Sequence, residues 1–474
     1  MNLPQKISLP TKLAYGCGYS AIGIQNLGFQ YFLLIFYSQV MGVDAGLVGL
    51  ALFIALTFDA VSDPVIGYLS DNTRSKWGRR HPWMYAAILP FSVSYFFLWY
   101  PPTGLSGNQL FFYILILSII IRTSSTMFII PQISLAAEMT GDYDERISIL
   151  SFGEFFVWVG GIGMTVIAFA FFFVPSDSVA DGLLNAPGYT KYGLLASAVL
   201  FLGMLVAALG THHLIPTFER PPQTHFGIKK AFIEILESLA NPSLVSALTA
   251  ALMLGLVSGL SAGLYFYLGS FFWRFNNDQL AILAGLNIFG AAMALVIAPA
   301  LSKRLGRKHG VMALAVLLFM VLPITILLRL LELMPQNGDP LLFLIVAIHG
   351  VITLAMISAI WILFYAMITD IVEDNAVKTG RRSEGICFAA TSFVSKAVTG
   401  LGLLAASLVL ALADFPKSAS LNAVPEETIF RLGAIYAPAI SLPMLLIVVC
   451  VAFYRIDRET HEENLLILAE RAAD

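Results

Sequence analysis

The chain has 474 residues, 58% of them hydrophobic and only 12% charged, with a mean hydropathy of +0.82, which excludes a soluble globular domain. Its net charge of −3 carries little information, because in a membrane protein the placement of Lys and Arg matters more than their sum. Apolar runs at 12–38, 45–70, 82–101, 108–137, 148–174, 189–215, 244–273, 278–301, 309–334, 341–370, 385–413 and 428–454 are each long enough to cross about 30 Å of hydrocarbon. These twelve predicted helices define an all-α membrane protein. The loops between them are asymmetric. With both termini on one side, most of the Lys and Arg fall on that side, while Lys191, Arg274, Lys417, Arg431 and, near a helix end, Arg329 fall on the other. The positive-inside rule then places the termini in the cytoplasm and the chain in a cytoplasmic (inner) membrane. The opening segment MNLPQKISLPTKLAYG lacks a cleavable signal, so the first predicted span stays in place.

In chain order, the first span offers Gln25, Asn26 and Gln30, amides able to hydrogen-bond a polar solute. The second, LALFIALTFDAVSDPVIGY, holds Asp59 and Asp63 four residues apart, on one helix face and at membrane depth. Two like charges in one small space need a shared proton or a cation. Pro64 either frees a backbone carbonyl near Ala60 as a further ligand or only kinks the helix. The fourth span carries Arg122, paired or snorkelling, and the fifth carries Glu154 and Trp158. Glu154 is either a substrate contact or a residue one turn too deep at a helix start. The tenth holds His349, read as a core histidine, with Trp361 and Tyr365; the eleventh holds Thr391, Ser392 and Lys396. An aromatic face with several hydrogen-bonding groups suits a sugar. Cys17, Cys387 and Cys450 lie in apolar spans at no metal-ligand spacing, so neither disulfides nor zinc are expected.

The polar segment HHLIPTFERPPQTHFGIKK divides the chain, predicting an N-terminal six-helix bundle over 1–215, a linker over 216–243, a C-terminal bundle over 244–456 and a tail over 457–474. The halves echo each other, with DNTRSKWGRRHP after the second span and SKRLGRKHG after the eighth. Acidic and basic residues interleave at matching helix ends: Asp71, Arg79, Arg80, Glu138, Asp142 and Arg146 in one half, Asp370, Arg381, Arg382 and Glu384 in the other. They are read as a cytoplasmic gate of ion pairs between the two halves, which hold the outward-facing state and part when the inside opens.

Residues 67–80 (GYLSDNTRSKWGRR) resemble the signature loop of the major facilitator superfamily. KLAYG at 12–16, FDAVSDPVIGY at 58–68, IPQISLAAEMTGDYDER at 130–146 and GRRSEG at 380–385 are similar to the glycoside-pentoside-hexuronide:cation symporters, the melibiose permease family. The resemblance implies two pseudo-symmetric six-helix bundles and cation-coupled symport of a sugar or glycoside by alternating access, with no cofactor beyond the coupling ion. It implies that Asp59, Asp63 and Thr126 hold that ion, with Ser62 where the permease has an Asn; Na⁺, H⁺ and Li⁺ all remain open. It also implies that Lys396 and Trp361 lie near the substrate. The family's sugar-binding acids have no counterpart here, their places falling at Gly23 and Ile129, and Glu154 stands where the permease has an Arg. A galactoside site is therefore not preserved, and the expected cargo is another sugar or glycoside or, alternatively, a lysolipid-like amphiphile. No catalytic motif such as GxSxG or HExxH occurs, so no enzyme is expected. The expected partners are a small-molecule substrate and the bilayer, not nucleic acid, with the protein acting as a monomer.

Overall fold

The computed structural model describes residues 6–140, 143–175, 181–218, 241–379, 400–417 and 424–456, with 459, 460, 463, 464 and 467 of the tail. The described residues are helices and their connections. Among the described residues, eight helical runs are long and apolar enough to cross a membrane, and one of them, Asn277–Leu330, turns at Gly306 into two passes. The helices are α1 (Leu9–Leu27), α2 (Ala45–Asn72), α3 (His81–Trp99), α4 (Asn108–Met139), α5 (Tyr143–Ile167) and α6 (Ala186–His212). They continue with α7 (Pro242–Tyr267), α8 (277–305), α9 (307–330), α10 (Pro340–Thr379), α11 (Gly400–Leu412, the described part of the eleventh span) and α12 (Glu426–Ala452).

Polar side chains start these helices where backbone N–H groups lack partners. Ser8 accepts from the N–H of Thr11, Asp44 from Gly46 and Asn241 from Ser243. Asn276 and Gln279 form a reciprocal capping box at α8. Gly306, at φ 75°, makes the α8–α9 turn; that left-handed geometry strains any residue with a Cβ. The outer surface is apolar, with Val296 72% and Phe171 68% exposed. Such a surface suits lipid and not water.

Helices α1 to α6 form one half, in which α1 packs on α5 and α6, and α3 on α4 and α6; α7 to α12 form the other, with α10 on α8–α9 and α12 on α7. The halves meet at the end remote from the termini. There α1 continues through π-helical turns at Gly28–Phe32 and Phe36–Val40, and α5 and α7 end in others at Ala168–Phe172 and Leu268–Phe272. Phe32 of one half stacks on Phe266 of the other, rings 5.4 Å apart and parallel within 2°. Ser38 and Tyr267 share a hydrogen bond, Gln39 donates to the carbonyl of Pro416 (3.2 Å), and Asp44 pairs with Lys417 (3.1 Å). Gly49 lies against Ser407, and Gly400 against Leu56, so α11 touches α2 over residues 49–56.

Candidate functional site

Asp59 and Asp63 lie one turn apart on α2, and both face α4. Thr126 Oγ1 stands 2.8 Å from Asp59 Oδ1 and 2.8 Å from Asp63 Oδ1. Asp59 is 2% exposed, Thr126 is equally buried, and Asp63 is half-buried. One hydroxyl proton serves one carboxylate at a time. The second short oxygen–oxygen approach is favourable when that carboxyl carries a proton or when a cation lies among the three oxygens. Ser62 donates to the backbone carbonyl of Asp59 at 3.0 Å, which ties its hydroxyl to its own helix. Helix α2 runs unbroken through position 64.

Arg122, one turn before Thr126 on α4, is the residue whose place the sequence left undecided. It is 9% exposed, its Nη1 is 3.8 Å from Asp59 Oδ2, and its guanidinium carbon lies 4.9 Å over the ring of Phe29. It is paired and does not snorkel.

Among the substrate candidates, Asn26 and Gln30 are half-buried on α1, and Gln25 is 1% exposed, too buried to reach a passing solute. Glu154 is exposed and lies close enough to Tyr15, Tyr19 and Tyr365 to act on all three electrostatically. Tyr365 belongs to the other half, so the charge of Glu154 is felt from one half to the other. Trp158, one turn on, lines a small crevice with Tyr31, Ile162, Thr165 and Asn287. Asn287 donates to the Tyr31 hydroxyl at 3.4 Å, and Tyr31 stacks on Tyr265 at 5.3 Å. Sequence reasoning missed Tyr31, Thr165 and Asn287; the α5 spacing 154, 158, 162, 165 was the available signal. Trp361 is packed with Phe364 and Tyr365. Thr391, Ser392 and Lys396 lie outside the described residues.

Gly23 sits where α1 crosses α5. A Cβ there would come within 1.9 Å of the Val157 carbonyl oxygen, and a Cβ on Gly160 or Gly161 would meet α1 backbone oxygens at 2.5 and 2.9 Å. No acidic side chain fits at position 23 without parting the helices.

At the end carrying the termini, Arg79 and Arg80 both contact Glu138 Oε1, at 2.7 and 2.9 Å, and Arg80 also pairs with Asp71 at 2.5 Å. Arg307 pairs with Asp370, and Lys12 with Glu145 at 2.9 Å. Each of these pairs joins residues of one half. Asp142, Arg381, Arg382 and Glu384 lie outside the described residues, as does the side chain of Arg146. His349 Nε2 bonds the carbonyl of Val321 at 2.8 Å, as a core histidine does.

With this geometry in view, a family model described as MFS/sugar transport protein matches residues 14–458. The chain belongs to this family. It is a transport protein and not an enzyme. A symporter of Synechocystis, named uncharacterized symporter sll1374, is 34% identical over 212 residues, a match confined to 43% of this chain and 38% of that one. The isoprimeverose transporter of Lactiplantibacillus pentosus is 23% identical, the match covering 91% of this chain and 86% of that one. The mouse sodium-dependent lysophosphatidylcholine symporter 1 is 22% identical, covering 97% and 88%. Among solved structures, a bacterial homologue of the lysosomal transporter Spinster, inward-facing and unoccupied, superposes with a TM-score of 0.64 at 15% identity over 96% of this chain and 97% of that one. That likeness establishes the fold.

Proposed function

We infer that this protein is a cation-coupled symporter of the cytoplasmic membrane, both termini inside, in which Asp59, Asp63 and Thr126 hold the coupling ion. The observation that carries this reading is the convergence of three side-chain oxygens from α2 and α4, two of them on buried residues and the third on half-buried Asp63, each short approach being 2.8 Å. Buried carboxylates at membrane depth are costly, and they are tolerable beside a cation or proton. The coupling ion is Na⁺, H⁺ or Li⁺. On this topology the latch between the halves lies on the external side and the cleft beside Glu154 opens inward. Ion binding neutralises the cleft and favours substrate, and substrate favours the ion equally.

The substrate is a sugar or glycoside, bound in the cleft by Trp158, Trp361 and the polar groups around Glu154. The isoprimeverose transporter, similar over most of the chain, supports that class. A second reading, a lysolipid-like amphiphile, rests on the closed α1–α5 crossing at Gly23, which leaves no room for an acid that would grip sugar hydroxyls, and on the similarity to the lysophosphatidylcholine symporter.

Reconstituted into proteoliposomes, the protein should accumulate substrate only with an inward Na⁺, Li⁺ or H⁺ gradient. Asp59→Asn and Asp63→Asn should abolish accumulation while leaving the protein inserted and folded. Full accumulation by either variant would overturn the site. Running the assay with glycosides and with lysophospholipids decides the cargo.

A further inference from the structure

Arg122 is a buried cation beside a site built for a cation. Its grip on Asp59 is loose: 3.8 Å lies beyond hydrogen-bonding reach, Nε has no hydrogen-bond partner, and the guanidinium rests on the Phe29 ring. Unused polar capacity lies around it. Among the described residues, Gln25, one turn before Phe29 of the π-helical continuation of α1, has neither amide atom bonded, and Ser118 Oγ, one turn before Arg122 on α4, has no partner. Residues four apart on a helix are neighbours, so Ser118 shares the face of α4 that carries Arg122, and Gln25 shares the helix face of Phe29, on whose ring the guanidinium rests. Such groups are costly to bury unless something comes to use them.

We propose that Arg122 is a tethered competitor of the coupling ion: it neutralises Asp59 in the empty carrier and withdraws toward Gln25 Oε1 and Ser118 Oγ when the ion arrives between Asp59, Asp63 and Thr126. The idea rests on the ion site proposed above. It explains why the empty carrier tolerates two acids at membrane depth, since a guanidinium already faces one of them. It also sets ion affinity, because each ion must displace a charge the protein itself supplies. Gln25 gives the guanidinium somewhere to go, which keeps the displacement reversible.

The test is thermal unfolding of the purified protein at alkaline pH, titrated with NaCl and LiCl against choline chloride, and separately titrated with acid. In the unaltered protein one of these ions should stabilise, and Asp59→Asn and Asp63→Asn should abolish that response. Arg122→Gln should keep the response and lower its half-saturation by at least about tenfold, or by one pH unit upward if the ion is H⁺. Gln25→Met, which removes the alternative partner, should raise half-saturation instead. Unchanged or weaker ion binding in Arg122→Gln, or unchanged binding in Gln25→Met, would overturn the competitor role. If Arg122→Gln does not fold alone, the Arg122→Gln/Asp59→Asn double variant should fold, because the two lost charges cancel; failure of both, with no effect of Gln25→Met, also overturns it. An unaltered protein that ignores all three ions, or Asp variants that keep the response, would defeat the ion site itself.

Discussion

At the scale of single residues, the hydroxyl of Thr126 is the hinge between two acids of α2. Thr126→Val keeps the volume and removes the oxygen, and it should weaken ion affinity in uptake assays by about tenfold, near the net worth of one hydrogen bond to a charged group. Thr126→Ser should restore most of that loss, since it returns the hydroxyl. Gly23→Ala should lower thermal stability by about 1–3 kcal/mol, because its methyl meets the Val157 carbonyl and α1 must move off α5. The acid pair was legible in the sequence from its spacing alone, and Thr126 came from a family resemblance. The pairing of Arg122 was not legible, although its position four residues before Thr126 put it on the same face of α4. The partner lay on another helix, and no local pattern names a partner 63 residues away. The close approach at Gly23 was equally hidden, because the residue it avoids belongs to α5.

At the scale of elements, apolar length predicted the spans well, since a helix all of whose sides face lipid or protein needs no amphipathic stripe. The sequence did not reveal that four π-helical turns cluster where the halves meet. Such turns depend on packing between distant segments, here the aromatic contacts of Phe32, Phe169, Phe173 and Phe266. The turn at Gly306 makes an element-scale prediction. Gly306→Ala should destabilise the protein by about 1 kcal/mol through its left-handed backbone, read as a lower unfolding temperature with ion affinity unchanged.

At the scale of the whole molecule, the latch joins the halves through a ring stack, hydrogen bonds and the ion pair of Asp44 with Lys417. Partial burial pushes the Asp44 carboxyl up, but the Lys417 ammonium and the Gly46 N–H outweigh it and hold the carboxyl below its ordinary range. A carboxyl with a depressed folded value contributes to closure above the ordinary carboxylate range and loses that contribution as the pH falls through its lowered value. Both side chains are about half exposed, so the effect is small and weakens in salt. Asp44→Asn should therefore raise the fraction of molecules with an open latch, read from the distance between spectroscopic labels placed across it, most clearly at low ionic strength and neutral pH, and the difference from the unaltered protein should vanish on acidification. Phe266→Ala should raise it more, since it removes the stacked ring itself.

The glycine crossing of α1 and α5 has a further use. With backbone set against backbone and nothing flexible between, the two helices can only travel as one body, whatever the halves do around the cargo. Spectroscopic labels placed on that pair would keep a constant separation through every stage of the cycle, and so supply an internal ruler for calibrating distances measured from one half to the other.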